Sequence, residues 1–260
     1  ALKKILKKDI KVGVIGLGYV GLPLALTFCE KKIKVLGFDI NETYIDKINI
    51  GESYIHHIDS KRISTQIKKN FIKATLDFKC IEETDIILIC VPTPLNKYKE
   101  PDLSFINQTI ENIKEHLKKG QLIILESTTY PGTTEEKIKP LIEKQGFTIG
   151  EDIFLVYSPE REDPGNKIYK TEDIPKILGG STNNCSILGE HLYKLIIKKV
   201  VTLSSTKAAE MTKLVENVQR AVNIGLMNEL KLLSDSLEID IYEVIRAAST
   251  KPFGFTPFYP

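Results

Sequence analysis

Residues 11–39, KVGVIGLGYVGLPLALTFCEKKIKVLGFD, constrain the fold more than any other part of this chain. Val12, Val14 and Ile15 make a short apolar strand. Gly16, Gly18 and Gly21 follow at G-x-G-x-x-G spacing with Tyr19 and Val20 between them, and residues 19–30 can run on as a helix. Each glycine answers a different demand. Gly16 permits a tight turn, Gly18 lets backbone approach a pyrophosphate, and Gly21 lets the helix pack closely on the sheet with its N-terminus toward the phosphate charge. A second strand, 34–38, ends at Asp39, 18 positions after Gly21. A carboxylate there can accept hydrogen bonds from ribose hydroxyls and repels a 2′-phosphate, so the pattern predicts a dinucleotide site that takes NAD rather than NADP.

The same stretch imitates a membrane segment, because residues 12–29 carry no charge and follow a basic start. Four glycines and Pro23 lie inside the run, and no small-residue cleavage site precedes the charged Glu30, Lys31 and Lys32. The expectation is therefore a soluble, cytoplasmic protein with no membrane partner. Cys29, Cys80, Cys90 and Cys185 are widely spaced with no C-x-x-C, and are expected to be reduced core thiols. Adjacent His56 and His57 would face opposite sides of an extended segment, so no metal is expected. A net charge of +2 with bases scattered among acids gives no nucleic-acid signature.

Apolar runs alternate with helical patterns through most of the chain. Strands are predicted over 72–75, 85–90, 122–125, 153–157, 176–178 and 200–203, and helices over 41–49, 103–117, 133–145 and 183–196. Six such alternations mean a doubly wound α/β sheet. From Ser205 the period changes. Met211, Leu214, Val215, Val218, Val222, Leu226, Leu230, Leu233 and Leu237 recur every three or four residues, predicting one long amphipathic helix of about 45 Å. Such a stripe is too long for one small sheet, so it is expected to serve also as an interdomain spine or a dimer surface. A shorter helix is predicted over 240–248.

Ligands of open α/β sheets gather at the carboxyl ends of the strands. Three loops qualify: Val91-Pro92-Thr93-Pro94 after 85–90, the segment 126–132 (ESTTYPG) after 122–125, and the segment 158–165 (SPEREDPG) after 153–157. Proline, glycine and capping hydroxyls also mark ordinary loops, but all three converge on the edge where the dinucleotide must lie. On the long helix Lys213 and Asn217 stand four apart, share a face, and together can stabilise a developing oxyanion.

Taken in order, IGLGYVGLPLA, Asp39, VPTP, EST-x-x-PGTT, YSPER and EMTKLVENVQRAVNIGLMNEL resemble the nucleotide-sugar 6-dehydrogenases, the family that includes UDP-glucose dehydrogenase. GESYIHHI, SPEREDPGN and STKPFGFTPFYP are most similar to the branch that oxidises UDP-N-acetylhexosamines, with UDP-N-acetylglucosamine the nearest candidate. The resemblance implies a Rossmann-type NAD domain over 1–203, then a linker or dimerisation helix and the start of a helical central domain over 204–260. It also implies a homodimer. The implied reaction takes two hydrides from C6 to two NAD, through an aldehyde and a cysteine-bound thioester, to a uronate for surface polysaccharide precursors. By the same resemblance Thr128 and Glu160 position or activate water, Lys213 and Asn217 steady the oxyanion, and Thr93, Ser127 and Thr128 meet the cofactor.

Two departures qualify this expectation. The glucose enzymes carry a second glutamate four residues after the one matching Glu160, where this chain has Pro164. The family nucleophile lies in a G-G-x-C motif soon after the segment resembling TKPFGFTPFYP, and none of the four cysteines here matches it. The chain is therefore expected to be the cofactor-binding part, lacking the nucleophile and the C-terminal UDP-binding domain and inactive by itself. A β-hydroxyacid or 6-phosphogluconate-type dehydrogenase would share the sheet and a helix with Lys and Asn, yet leaves the VPTP, EST-x-x-PG and SPER loops unexplained. A non-catalytic NAD-binding or partner-binding module is the third alternative.

Overall fold

Runs such as Ile86–Ile89 and Leu122–Leu125 have no polar face to offer water, so they must lie inside a sheet covered on both sides. A computed structural model describes residues 1–161 and 171–260, and it places them there. Eight strands, β1 (Lys11–Ile15), β2 (Lys34–Phe38), β3 (Ile72–Thr75), β4 (Ile86–Ile89), β5 (Leu122–Leu125), β6 (Phe154–Tyr157), β7 (Lys176–Gly180) and β8 (Val200–Leu203), form one sheet in the order β3-β2-β1-β4-β5-β6-β7-β8. The first six are parallel, the doubly wound arrangement that the alternation predicted. The seventh runs the other way: β7 pairs antiparallel with β6, through Val156 with Gly180 and Tyr157 with Gly179, and β8 then lies parallel to β7.

The crossover α2 (Gly21–Glu30) is buried along its length except for Glu30, with Pro23 in the first turn where no helical amide is needed. Asn41 caps α3 (Glu42–Ile50) by accepting from the Thr43 amide at 3.0 Å, and Gly51 ends it in the left-handed region. Two helices lie outside the sequence expectation, α1 (Leu2–Leu6) and α4 (Ser60–Lys68). The second is mostly polar, but Asp59 caps it and Ile63 is buried. The helix expected over 103–117 is α5 (Ser104–Ile113) followed by a 3₁₀ turn. That over 133–145 divides into a π-helical turn, Thr134–Ile138, and α6 (Lys139–Glu143). Pro140 cannot donate to a carbonyl one turn back, and the wider turn precedes it. Finally α7 (Asn183–Tyr193) packs on β6 and β7.

The chain divides into two units, Ala1–Met211 and Thr212–Pro260. The long helix α8 (Thr206–Ser236) begins in the first and makes up half of the second, which also holds α9 (Ile241–Ala248). Its own small core is Met227, Ile241 and Ile245, with Phe258 packed against them. The predicted stripe is left largely uncovered: Val218, Val222, Leu226 and Leu233 are all at least half exposed. No helix among the described residues is long and apolar enough to cross a membrane.

Candidate functional site

The turn after β1 is built by exclusion of side chains. Gly16 sits at φ +87°, and a Cβ there would stand 2.8 Å from the Cys90 carbonyl oxygen. A Cβ on Gly21 would land far inside the contact distance of the Gly16 carbonyl oxygen, so α2 can start this close to β1 only from glycine. Gly18 differs, because nothing stands within 4 Å of where its Cβ would be. That open side faces a cleft of about 620 Å³ at the carboxyl edge of the sheet. No side chain among the described residues caps the start of α2; the Leu22 amide donates to the Gly18 carbonyl at 3.1 Å, and the positive end of the helix is turned to the cleft lined by Gly18, Tyr19 and Val20.

Asp39 lines the same cleft one strand away. Its Oδ2 accepts from the Leu17 amide at 2.8 Å and its Oδ1 from the Asn41 amide at 2.9 Å. Two amides fix the carboxylate and leave each oxygen a second lone pair for a vicinal diol. Beside it Tyr44 stacks on Tyr54 with ring centroids 4.0 Å apart, and the Tyr54 hydroxyl donates to the Leu17 carbonyl. Open glycine, uncapped helix and pinned acid together fit a dinucleotide: Gly16, Gly18, Tyr19 and Val20 would hold its pyrophosphate, and Asp39 a ribose.

The other predicted residues fall on the far side of this cleft. Thr93, Ser127, Thr128 and Glu160 all line it, whereas Gly21 is buried beneath the turn. The Thr93 hydroxyl donates to the Thr128 carbonyl at 2.7 Å, and that of Ser127 to the Val91 carbonyl at 2.6 Å. These hydroxyls therefore tie the β4 and β5 loops together, and toward a ligand they retain only acceptor capacity. Lys213 and Asn217 lie one turn apart on α8, in the second unit. Asn217 accepts from Arg220 through its Oδ1 at 3.0 Å. Pro164 lies outside the described residues.

Two features of this edge escaped sequence reasoning. The first is Glu210, in the part of α8 that belongs to the first unit. Fully buried, it accepts from the Gly132 amide at 2.6 Å and from the Thr134 amide and hydroxyl at 2.9 and 2.7 Å, and so anchors the loop that presents Thr128. Burial raises its carboxyl, and the Thr134 bonds oppose the rise.

The second is an ionic cluster beneath the cleft. Glu126 at the end of β5 and Lys176 at the start of β7 are both buried, with Lys176 Nζ 2.5 Å from Glu126 Oε2. The Tyr193 hydroxyl donates to the other Glu126 oxygen, and Nζ also reaches the Pro159 carbonyl at 3.2 Å and Glu160 Oε2 at 3.8 Å. Burial pushes the Glu126 carboxyl up, and the Lys176 charge works against it. On Lys176 burial favours loss of the proton, but two carboxylates outweigh it and the ammonium is held above its ordinary range. We take the cluster as ionised at neutral pH, since two donors aim at the two Glu126 oxygens. The signal was present in sequence, a glutamate inside a cleft loop and a lysine opening an apolar strand, but their meeting depends on the reversal of β7.

Three of the four cysteines, Cys29, Cys90 and Cys185, are buried as expected. The fourth is not: Cys80 is partly exposed and lines a separate recess with Lys11 and Lys34, at the amino edge of the sheet. Burial pushes the Cys29 thiol up to about 12 and that of Cys90 well above its ordinary value.

Fold and cleft define a dinucleotide-binding α/β domain followed by a helical unit. Comparison with known proteins goes further: residues 10–197 match the NAD binding domain of the UDP-glucose/GDP-mannose dehydrogenase family, and residues 207–260 match its central domain. The chain belongs to that family. It is 41% identical over 255 residues to UDP-N-acetyl-D-glucosamine 6-dehydrogenase of Pseudomonas aeruginosa, covering 97% of this chain and 59% of that protein. It is 40% identical to UDP-N-acetyl-D-mannosamine dehydrogenase of Campylobacter jejuni, covering 93% of this chain and 61% of that one. In three dimensions it resembles the UDP-N-acetyl-mannosamine dehydrogenase Cap5O of Staphylococcus aureus, with a TM-score of 0.86 at 37% identity, over 94% of this chain and 60% of that one. The chain thus spans about three fifths of the length of these relatives.

Proposed function

We propose that this chain is the cofactor-binding part of a cytoplasmic UDP-N-acetylhexosamine 6-dehydrogenase, with UDP-N-acetylglucosamine as the substrate. The observation that carries this reading is the single cleft that gathers the glycine turn, Asp39, Thr93, Ser127, Thr128 and Glu160 at one edge of the sheet. NAD, when bound, supplies the hydride acceptor. Glu160 and Thr128 then hold and activate water, while Lys213 and Asn217 stabilise the oxyanion at C6. The family's thioester step needs an accessible thiolate. Cys29 and Cys90 are buried with raised thiols, Cys185 is buried, and Cys80 stands at the opposite edge.

The 260-residue chain is therefore expected to release no NADH from UDP-N-acetylglucosamine and NAD. A longer polypeptide that adds the thiol and a sugar-nucleotide domain should reduce two NAD per substrate, and in it Lys213→Ala should lower kcat more than NAD affinity. Turnover by the 260-residue chain, or oxidation of a 3-hydroxy acid by the longer one, would overturn the assignment.

Asp39 gives a prediction independent of chemistry. By calorimetric titration the chain should bind NAD at least about tenfold more tightly than NADP, and Asp39→Ala should close most of that gap. Equal affinity of the unaltered chain for both cofactors would remove the ribose argument.

We propose further that the exposed stripe on α8 joins two copies of the chain. Sedimentation should show a dimer that Leu226→Glu dissociates; a monomer unaffected by that change would refute it.

A further inference from the structure

Among the described residues that line the cleft there are three carboxylates, Asp39, Glu126 and Glu160, and no lysine, arginine or histidine. The acids stand at its two ends. Asp39 follows β2, whereas Glu126 and Glu160 follow β5 and β6, with the glycine turn of β1 between them. A dinucleotide with one ribose on Asp39 and its pyrophosphate on that turn must carry its nicotinamide toward the second end. Oxidised and reduced nicotinamide differ little in size, but the oxidised ring bears a full positive charge and the reduced ring none. Whatever charge the floor of the cleft presents is therefore read by one form and ignored by the other.

Among the described residues, those that charge this floor are acidic. Glu126 lines the cleft, and Lys176, its partner, is not among the residues that do; its ammonium donates also to the Pro159 carbonyl and stands 5.2 Å from the centre of the Tyr193 ring. Arg161 is also absent from the lining, and its guanidinium donates to the Pro175 carbonyl at 2.7 Å. Lys176 and Tyr193 each hold one Glu126 oxygen, so the carboxylate cannot swing away, and its burial keeps water from screening it.

We propose that Glu126, held by Lys176 and Tyr193, makes this cleft selective for the oxidation state of its cofactor, so that the cationic oxidised form binds more tightly than the neutral reduced form. The inference rests on the cleft being the NAD site. In a reaction that removes two hydrides from one substrate, a reduced cofactor must leave and an oxidised one enter between the steps. An acid beneath the ring strengthens the hold on the second and leaves the hold on the first as it was, so exchange favours the oxidised form.

Titration of the 260-residue chain with NAD and, separately, with NADH tests this without any turnover. Glu126→Gln should reduce the preference for NAD over NADH about tenfold, because it removes the acid and leaves the Lys176 charge unbalanced nearby, with NADH affinity unchanged within about twofold. Glu126→Gln combined with Lys176→Met removes both charges, keeps the volume, and should reduce the preference about threefold. This double variant decides the matter if the single one does not fold. A preference unchanged in a folded variant overturns the proposal while leaving the NAD site intact. An unaltered chain that binds neither cofactor overturns both.

Discussion

Gly21→Ala should leave a chain that no longer holds NAD, and it should lower the stability of the first unit by about 3 kcal/mol or more. The added methyl meets the Gly16 carbonyl, a backbone atom that also shapes the turn, so no side-chain rotation can relieve the clash. Nor can α2 slide away, because Leu22, Leu24, Leu26 and Phe28 lock it into the core. Relief must come from opening the turn, which takes the helix N-terminus away from the phosphate position. Gly18→Ala is the matching control. Its methyl points into open space and should change stability by less than about 1 kcal/mol, yet it occupies the path by which a pyrophosphate approaches. Urea melts and calorimetric titration of the two variants should therefore separate, one losing fold and ligand together and the other ligand alone. Gly21→Ala with NAD affinity within twofold of the unaltered chain would contradict this account of the turn.

Lys176→Met should be the more damaging of the changes at the ionic cluster, destabilising the chain by about 3–5 kcal/mol. It leaves Glu126 buried against Tyr193 with no cation, and a carboxylate so placed must either take up a proton or carry an uncompensated charge. Adding Glu126→Gln should recover most of the loss, since a buried ion pair replaced by neutral groups of similar volume is often close to neutral in stability. The cycle of two single variants and the double, followed by chemical denaturation, isolates the coupling between them. Additive losses would show that the two side chains do not depend on each other.

How much of this was legible beforehand varied with the range of the interaction. The glycine turn, Asp39 and the strands β3, β5 and β8 follow from patterns within a few residues of each other, and the described structure matches them closely. The helix α4 went unseen because its apolar content is small, although Asp59 at its cap and Ile63 and Ile67 four apart were available as signals. The π-helical turn before α6 was also missed, even though Pro140 stood in plain view inside the expected helix. Hardest to foresee were Glu210 and Lys176. Each finds its partners dozens of residues away, Glu210 at Gly132 and Thr134 and Lys176 at Glu126, and periodicity says nothing about contacts of that span.

The reversed seventh strand has one more consequence. Because β7 runs against β6, its first residue rather than its last reaches the cofactor edge, and Lys176 is set there by a ladder of backbone bonds instead of by a loop. Loops drift over evolutionary time, gaining and losing residues, and a cation carried on one would drift too. Here the charge stays where the register of Val156 with Gly180 and Tyr157 with Gly179 puts it. The position of the buried cation is thereby inherited from the pairing of two strands, and a change in strand register would move it while a change of side chain elsewhere on the sheet would not.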